Sequence, residues 1–188
     1  MDNSEKLRLL KEKQSRVLKA IDKSTNKELL QFFVDVIPMA LDADRCSIFI
    51  HNLKSESAWI QCGTNLEEHQ ISVPNKDSLV GQTVSTGKTI IENDMDQRVG
   101  QHDIIGVKTG YRTHSVLCVP VMSSTKEGTT GAIQVLNKRV GKTFDEADLK
   151  IVQRLALLIQ GYVENIFLKQ DLREIAELMA KEIASLES

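Results

Sequence analysis

Glycine is missing from the first 62 residues of this 188-residue chain, and the last 47 hold only Gly161. Both ends are therefore expected to be long helices, while the other nine glycines, Gly63 to Gly141, concentrate turn-forming chemistry in the middle. Aromatic residues make up only 4 %, too few for stacking platforms along single-stranded nucleic acid. A surplus of one charge is absent too. The 24 Lys+Arg against 26 Asp+Glu leave a formal net charge of −2, which argues against a binder of phosphate backbones. No run approaches the roughly 18 uninterrupted apolar residues of a membrane helix, and the opening MDNSEKLRLLKEK has no apolar signal-peptide core. The expected setting is cytoplasmic, with neither nucleic acid nor membrane as a partner.

Cysteine is scarce. Cys46, Cys62 and Cys118 are odd in number, widely spaced and mostly set in apolar strand-like runs, so they read as reduced core thiols rather than a disulfide framework. The four histidines, His51, His69, His102 and His114, stand singly without HExxH or Cys/His ligand spacing, which predicts surface or strand-end residues and no metal site. Walker, GxGxxG and GxSxG motifs are absent. The acids of ENDMDQR (Glu92, Asp94, Asp96) have neither a histidine partner nor an EF-hand register and read as a solvated loop. No catalytic residue is assigned.

What is present, 41 % hydrophobic and 27 % charged residues, is the composition of a soluble globular protein. Leu7, Leu10, Val17 and Ile21 follow a near-heptad period. Ser24 and Asn26 can cap a second helix, LLQFFVDVIPMALDA, whose apolar face is Leu29, Phe32, Phe33, Val36 and Ile37; Pro38 predicts a kink or an early end. After Thr143 a further helix opens with acids that complement its dipole. Ile151, Val152, Leu155, Leu158 and Ile159 form a broad stripe suited to packing on a domain. Leu168, Leu172, Ile175 and Met179 follow a narrower 4-3-4 spacing suited to a partner helix. This end reads either as one amphipathic helix or as a parallel coiled coil continuing to an output region beyond it.

Between Arg45 and Lys138 the period becomes two. CSIFIHN, SAWIQCG, ISVP, KTIIEN, SVLCVPVMSS and GAIQVLNK predict six strands, and LKSES, TNLEEHQ and STKEGTTG are hairpin-type connectors. SLVGQTVSTGK, with Leu79, Val80 and Val84, predicts a short helix, and Asp94 to Arg112 is the least regular segment. Together these elements give an α+β class: an antiparallel sheet with helices on one face and room for a pocket on the other.

The run TGYRTHSVLCVPV, followed by GAIQVLNK and FDEADL, resembles GAF domains, in particular those that bind cyclic nucleotides in phosphodiesterases and bacterial nucleotide cyclases. RCSIFIHN and LVGQTVSTGKTIIEND match that family's first strand and pocket helix in order and spacing. The resemblance implies a GAF-like fold, a six-stranded antiparallel sheet with flanking helices, over residues 25–165. The amino-terminal 1–24 would then be a signalling or dimerisation helix, and 166–188 a coiled-coil helix leading to an output region.

By the resemblance, the ligand-binding residues are Ser47 on the first strand, Leu79, Val80 and Gly81 at the helix turn, Thr109 and Thr113 at the ends of TGYRT, and Gln134 on the last strand. Hydroxyls and backbone amides could hold one phosphate charge while Val80, Val84 and Ile105 sandwich a purine. Asn137, Lys138, Phe144 and Asp148 resemble a family signature that supports the structure from outside the pocket; Leu149 replaces the acid that follows in the family. Gly106 stands where cyclic-GMP-binding relatives often carry an acid, and Gln61-Cys62 where they carry Phe-Asp. The loss of carboxylates that accept from guanine N1 and N2 tilts the expectation toward cyclic AMP, with cyclic GMP or no nucleotide as alternatives and no covalent cofactor.

The implied function is a non-catalytic regulatory sensor within a larger signalling enzyme: a nucleotide cyclase, diguanylate cyclase, phosphodiesterase or histidine kinase. It would bind a small molecule and pair as a homodimer through its terminal helices. One alternative is a dimerisation module with an empty pocket or another ligand. Another is a GAF-type methionine-sulfoxide reductase, which needs clustered cysteines that this sequence does not offer.

Overall fold

The computed structural model describes residues 27–95, 110–139 and 141–185, together with Arg8, Glu12 and Ser15. The amino-terminal helix expected over 1–24 and its caps otherwise lie outside the described residues, as does most of Asp94 to Arg112.

Helix α1 spans Lys27–Leu41 and buries Leu30, Val34, Ile37, Pro38 and Leu41. This stripe differs from the expected one: Leu29 and Phe32 are exposed, Phe32 by 58 %. LLQFFVDVIP is apolar around most of its circumference, so the 3.6-residue period does not choose the stripe, and the sheet surface does. Pro38 does not end the helix. Three more residues follow it before Asp42 turns the chain at φ 54°.

Six strands follow: β1 (Ala43–Asn52), β2 (Ser57–Gly63), β3 (Ser72–Pro74), β4 (Ile90–Glu92), β5 (Val116–Met122) and β6 (Thr129–Lys138). They form one sheet in the order β3-β2-β1-β6-β5-β4, antiparallel throughout. The fold class is therefore α+β, as expected. β1 starts earlier than CSIFIHN suggested and β4 is shorter than KTIIEN. Helix α2 (Leu79–Thr86) links β3 to β4.

The alternation of side chains sorts the sheet into two cores. On one face Cys46, Ile48, Ile50, Ile133 and Val135 pack with α1 and with helix α3 (Glu146–Ser185). On the other, Phe49, Ala58, Ile60, Val116, Cys118, Ala132 and Leu136 pack beneath α2.

A reciprocal cap starts α3. Asp145 Oδ1 accepts from the N–H groups of Ala147 (2.8 Å) and Asp148 (3.0 Å), and Asp148 Oδ2 accepts from the Asp145 N–H (3.1 Å). These backbone donors hold the Asp145 carboxyl below its usual range. α3 buries Val152, Leu155, Ala156, Ile159 and Val163 against the sheet. The expected broad stripe is split: Ile151 and Leu158 point outward, Leu158 by 67 %. Residues Lys27–Phe167 form one compact unit, and Leu168 onward belongs to a second. Among the described residues no helix is long and apolar enough to cross a membrane.

Candidate functional site

Strand register lines up one residue from each of five strands across the α2-facing side of the sheet. Gly63 pairs with Ser47, Ser47 with Gln134, Gln134 with Cys118, and Cys118 with Ile90. Ser47 and Gln134 are both buried, so this row sets polar groups into an otherwise apolar face. Gly63 makes room for them: a Cβ there would lie 2.8 Å from Ser47 Oγ.

Helix α2 covers this face with Leu79, Val80 and Val84. Its start is fixed by Ser78, which is extended and accepts the Gly81 N–H at Oγ (2.9 Å) while donating to the Pro74 carbonyl (2.8 Å). Glycine at 81 is required by close approach. A Cβ would sit 2.1 Å from the Pro74 oxygen and 2.5 Å from Asn75 Cα. The Leu79-Val80-Gly81 turn is thus pressed onto the end of β3; its Gly81 N–H is spent on Ser78, and the helix dipole is what favours negative charge there.

The other end of α2 is braced as firmly. Gly87, at φ 66°, donates its N–H to the Thr83 carbonyl (2.9 Å). The Thr129 hydroxyl donates to the Val84 carbonyl. His51 Nδ1 lies 3.2 Å from the Thr129 carbonyl and its Nε2 lies 3.2 Å from Asn75 Nδ2, so the tautomer with the proton on Nδ1 satisfies both. Burial holds the His51 pKa below its ordinary value. Of the two placements expected for the histidines, surface or strand end, His51 takes the second: it is the penultimate residue of β1 and is buried there, 5 % exposed. Its β1 neighbours Phe49 and Ile50 are fully buried, and the imidazole has replaced water by Thr129 and Asn75.

Among the described residues, buried side-chain oxygens without a hydrogen-bond partner include Gln134 Oε1, Gln61 Oε1 and Asn75 Oδ1. Such atoms are rare in folded proteins, because a lost partner costs about 1–3 kcal/mol. Gln134 belongs to the polar row, and Thr83 reaches down from α2 toward the Cys118 thiol.

Of the residues assigned by resemblance, Ser47, Leu79, Val80, Gly81, Val84 and Gln134 lie on or over this face. Thr113 is buried on the approach to β5. Ile105 and Thr109 lie outside the described residues. Asn137, at φ 54°, fastens the segment before β5: its Oδ1 accepts the His114 N–H (2.7 Å), and its Nδ2 donates to the Arg112 carbonyl (2.9 Å) and Tyr111 Oη (2.8 Å). Tyr111 Oη donates in turn to Asp44 (3.0 Å) beneath the Arg45 guanidinium, 3.6 Å from the ring centre. Lys138, Phe144 and Asp148 sit elsewhere. Lys138 Nζ donates to Asp148 (2.6 Å), and Phe144 packs in the opposite core with its backbone clasped by the Asn93 amide.

Residues not anticipated from sequence are His51, Thr83, Cys118 and Tyr111. Val80, Thr83 and Val84 are spaced i, i+3, i+4, which was a usable signal for Thr83. The three cysteines are free and buried. Desolvation pushes Cys62 and Cys118 up to about 12. With Cys46 and Cys62 in the opposite core and Cys118 on the site face, no cysteine cluster forms for thiol chemistry among them. Among the described residues no three His, Cys, Asp or Glu side chains gather as a metal site.

The family model described as GAF domain matches residues 26–161. The Dual 3',5'-cyclic-AMP and -GMP phosphodiesterase 11A of Takifugu rubripes is 32 % identical over 125 residues, which cover 60 % of this chain and 14 % of that protein. The chain thus spans about a seventh of that relative's length. A GAF domain from a phosphoenolpyruvate-protein phosphotransferase of Coxiella burnetii superposes with TM-score 0.66 at 15 % identity, covering 90 % of this chain and 99 % of that one. Free methionine-R-sulfoxide reductase from Neisseria meningitidis, solved with its substrate, superposes with TM-score 0.61 at 18 % identity, covering 86 % and 92 %. At these identities the structural likenesses speak for the fold alone.

Proposed function

The chain belongs to the GAF domain family, and we propose that it is a regulatory sensor whose ligand is a cyclic nucleotide, cyclic AMP in preference to cyclic GMP. The observation that carries this reading is Gln134 Oε1, a buried acceptor without a partner, set between Ser47 and Cys118 on the face that α2 covers. A ligand with a hydrogen-bond donor on a flat apolar ring and an anionic group suits these surroundings. The ring would pack against Val80 and Val84, the donor would meet Gln134, and the charge would lie at the Leu79-Val80-Gly81 turn with hydroxyls from Thr109 and Thr113.

The preference for adenine rests on the residues that replace carboxylates. Guanine offers N1–H and N2–H₂ donors that a carboxylate accepts strongly, and Gly106, Gln61 and Cys62 provide none. The name of the Takifugu relative includes both cyclic AMP and cyclic GMP, which supports the ligand class without choosing between them. In this reading the domain serves a larger cytoplasmic signalling enzyme and pairs as a homodimer through its terminal helices. Binding energy would bias the output only by its difference between two helix arrangements, typically about 1–3 kcal/mol.

Calorimetric titration with cyclic AMP and cyclic GMP tests the proposal. Saturable heat, tighter for cyclic AMP, is expected. An absence of both heat and thermal shift at millimolar nucleotide would overturn it and leave the reading of a dimerisation module with an empty pocket or another ligand.

A further inference from the structure

Residues 110–115 run up to β5 outside any strand or helix, so their backbone groups need other partners, and Asn137 supplies several. Its Oδ1 accepts the N–H groups of His114 (2.7 Å) and Ser115 (3.3 Å), which fixes the orientation of the amide. Its Nδ2 must then donate, one hydrogen to the Arg112 carbonyl (2.9 Å) and the other to Tyr111 Oη (2.8 Å). Tyr111 Oη therefore accepts from Asn137, and its own proton goes to Asp44 Oδ2 at 3.0 Å. Burial, and after it the Asp44 carboxylate, push the phenol well above the ordinary tyrosine range, so the hydroxyl stays a donor at physiological pH.

Register places this junction beside the site. Arg45 pairs with Leu136 two residues along from the Ser47–Gln134 pair, a distance of about 7 Å, and it shares the face of Ser47 because strand side chains alternate. The Tyr111 ring lies under the Arg45 guanidinium, 3.6 Å from its centre, and packs against the core that α2 covers. Tyr111 thus sits at the end of the face that holds the unpartnered Gln134 Oε1. Its acceptor Asp44 is two residues past Asp42, where α1 turns into β1.

We propose that Tyr111 is a positioning residue for ligand binding: its hydroxyl ties residues 110–115 to β1 and so sets where Thr113, two residues on and buried, meets the ligand. This rests on the cyclic-nucleotide reading above and adds to it a residue that acts through Thr113. Without the hydroxyl, Asn137 keeps its bonds to Arg112, His114 and Ser115, and the ring keeps its packing. What is lost is the tie to Asp44. The fold survives, Thr113 samples a wider range of positions, and a smaller fraction of the protein is competent to bind. Linkage gives the converse. Whatever factor the bridge contributes to affinity, the ligand contributes to the bridge, so occupancy tightens Tyr111 against Asp44 at the α1–β1 corner.

Calorimetric titration of the full chain with cyclic AMP, for Tyr111→Phe and Thr113→Ala singly and combined, tests this. Tyr111→Phe keeps the ring and should raise the Kd at least about fivefold, the lower end of typical couplings between linked groups, with a urea midpoint near that of the parent. In the Thr113→Ala background the same change should raise the Kd less than about twofold, because the group it acts through is gone. Asp44→Asn keeps a carbonyl acceptor for the phenol and should bind more tightly than Asp44→Ala, a comparison that decides the matter if Thr113→Ala binds too weakly to titrate. A parent that binds no nucleotide at millimolar concentration would overturn the nucleotide reading and this inference together. A parent that binds, with an unchanged Kd in Tyr111→Phe, with the same fold-change in both backgrounds, or with equal Kd for the two Asp44 variants, would overturn the positioning role alone. So would a collapse of the Tyr111→Phe urea midpoint, which would make the hydroxyl a structural group.

Discussion

Lys138 Nζ donates to Asp148 Oδ1 at 2.6 Å, with the two side chains only 10 % and 8 % exposed. The pair ties the end of β6, one residue after Asn137, to the first turn of α3. Breaking a buried pair costs about 3–5 kcal/mol because it strands a desolvated charge, whereas replacing both charges with apolar groups can be close to neutral. Asp148→Ala should therefore lower the urea-unfolding free energy by about that amount, and Lys138→Met combined with Asp148→Leu by less. Chemical denaturation of both variants checks the order, and a double variant weaker than the single would refute it.

Gln134→Leu separates fold from binding. Its Oε1 has no partner in the folded chain, and an apolar side chain of similar size removes the buried carbonyl at little or no loss. The thermal midpoint of the free protein should hold or rise, while the shift produced by cyclic AMP should disappear. A retained ligand shift would show that Gln134 does not contact the nucleotide.

Gly81→Ala should destabilise the domain by about 1–3 kcal/mol, since the added Cβ collides with backbone at Pro74 and Asn75 and not with a side chain that can swing away. Gly128→Ala, where nothing lies within 4 Å of the new carbon, should change stability by less than about 0.5 kcal/mol. Thermal denaturation of the two proteins distinguishes them, and equal midpoints would remove the close-approach argument.

His51 sets an acid-side slope. Burial lowers its folded pKa below the ordinary 6.5, so as pH falls through that value the unfolded chain takes up a proton that the folded chain refuses. Stability should be level above about pH 7, fall as the solution is acidified through the ordinary histidine pKa, and stop falling for this reason once the folded imidazole protonates. Asp145 has the same sign in a lower window: its stabilisation is present above 3.8 and is lost as pH falls through its depressed folded pKa. His51→Gln should flatten the slope between pH 7 and 5 in denaturant titrations. A slope equal to that of the parent would place the titration elsewhere.

Much of this domain was legible without coordinates. The period-two runs around Cys46–Asn52, Ser57–Gly63 and Gly131–Lys138 became strands because alternation is set by the pleat, a local property of the backbone. Leu79, Val80 and Val84 marked the short helix for the same kind of reason. The polar row across the α2-facing side of the sheet was legible only in part. Ser47 and Gln134 entered by resemblance, whereas Cys118 and Thr83 did not, since nothing near them in sequence states that β5 and α2 meet beside Gln134.

By itself, the sequence determined the element types and, by resemblance, offered a candidate site of hydroxyls, amides and aliphatic side chains without carboxylates. Local backbone preference and periodicity suffice for the first. The tertiary structure alone decided which apolar stripe of α1 and of α3 is buried, which brings His51, Asn75 and Thr129 together, and which leaves Gln134 Oε1 without a partner. Those outcomes depend on cross-strand register and on competition among nearly equivalent apolar faces. Leu158 and Phe32 are as hydrophobic as the residues buried in their place, and only the shape of the sheet they would meet settles the choice.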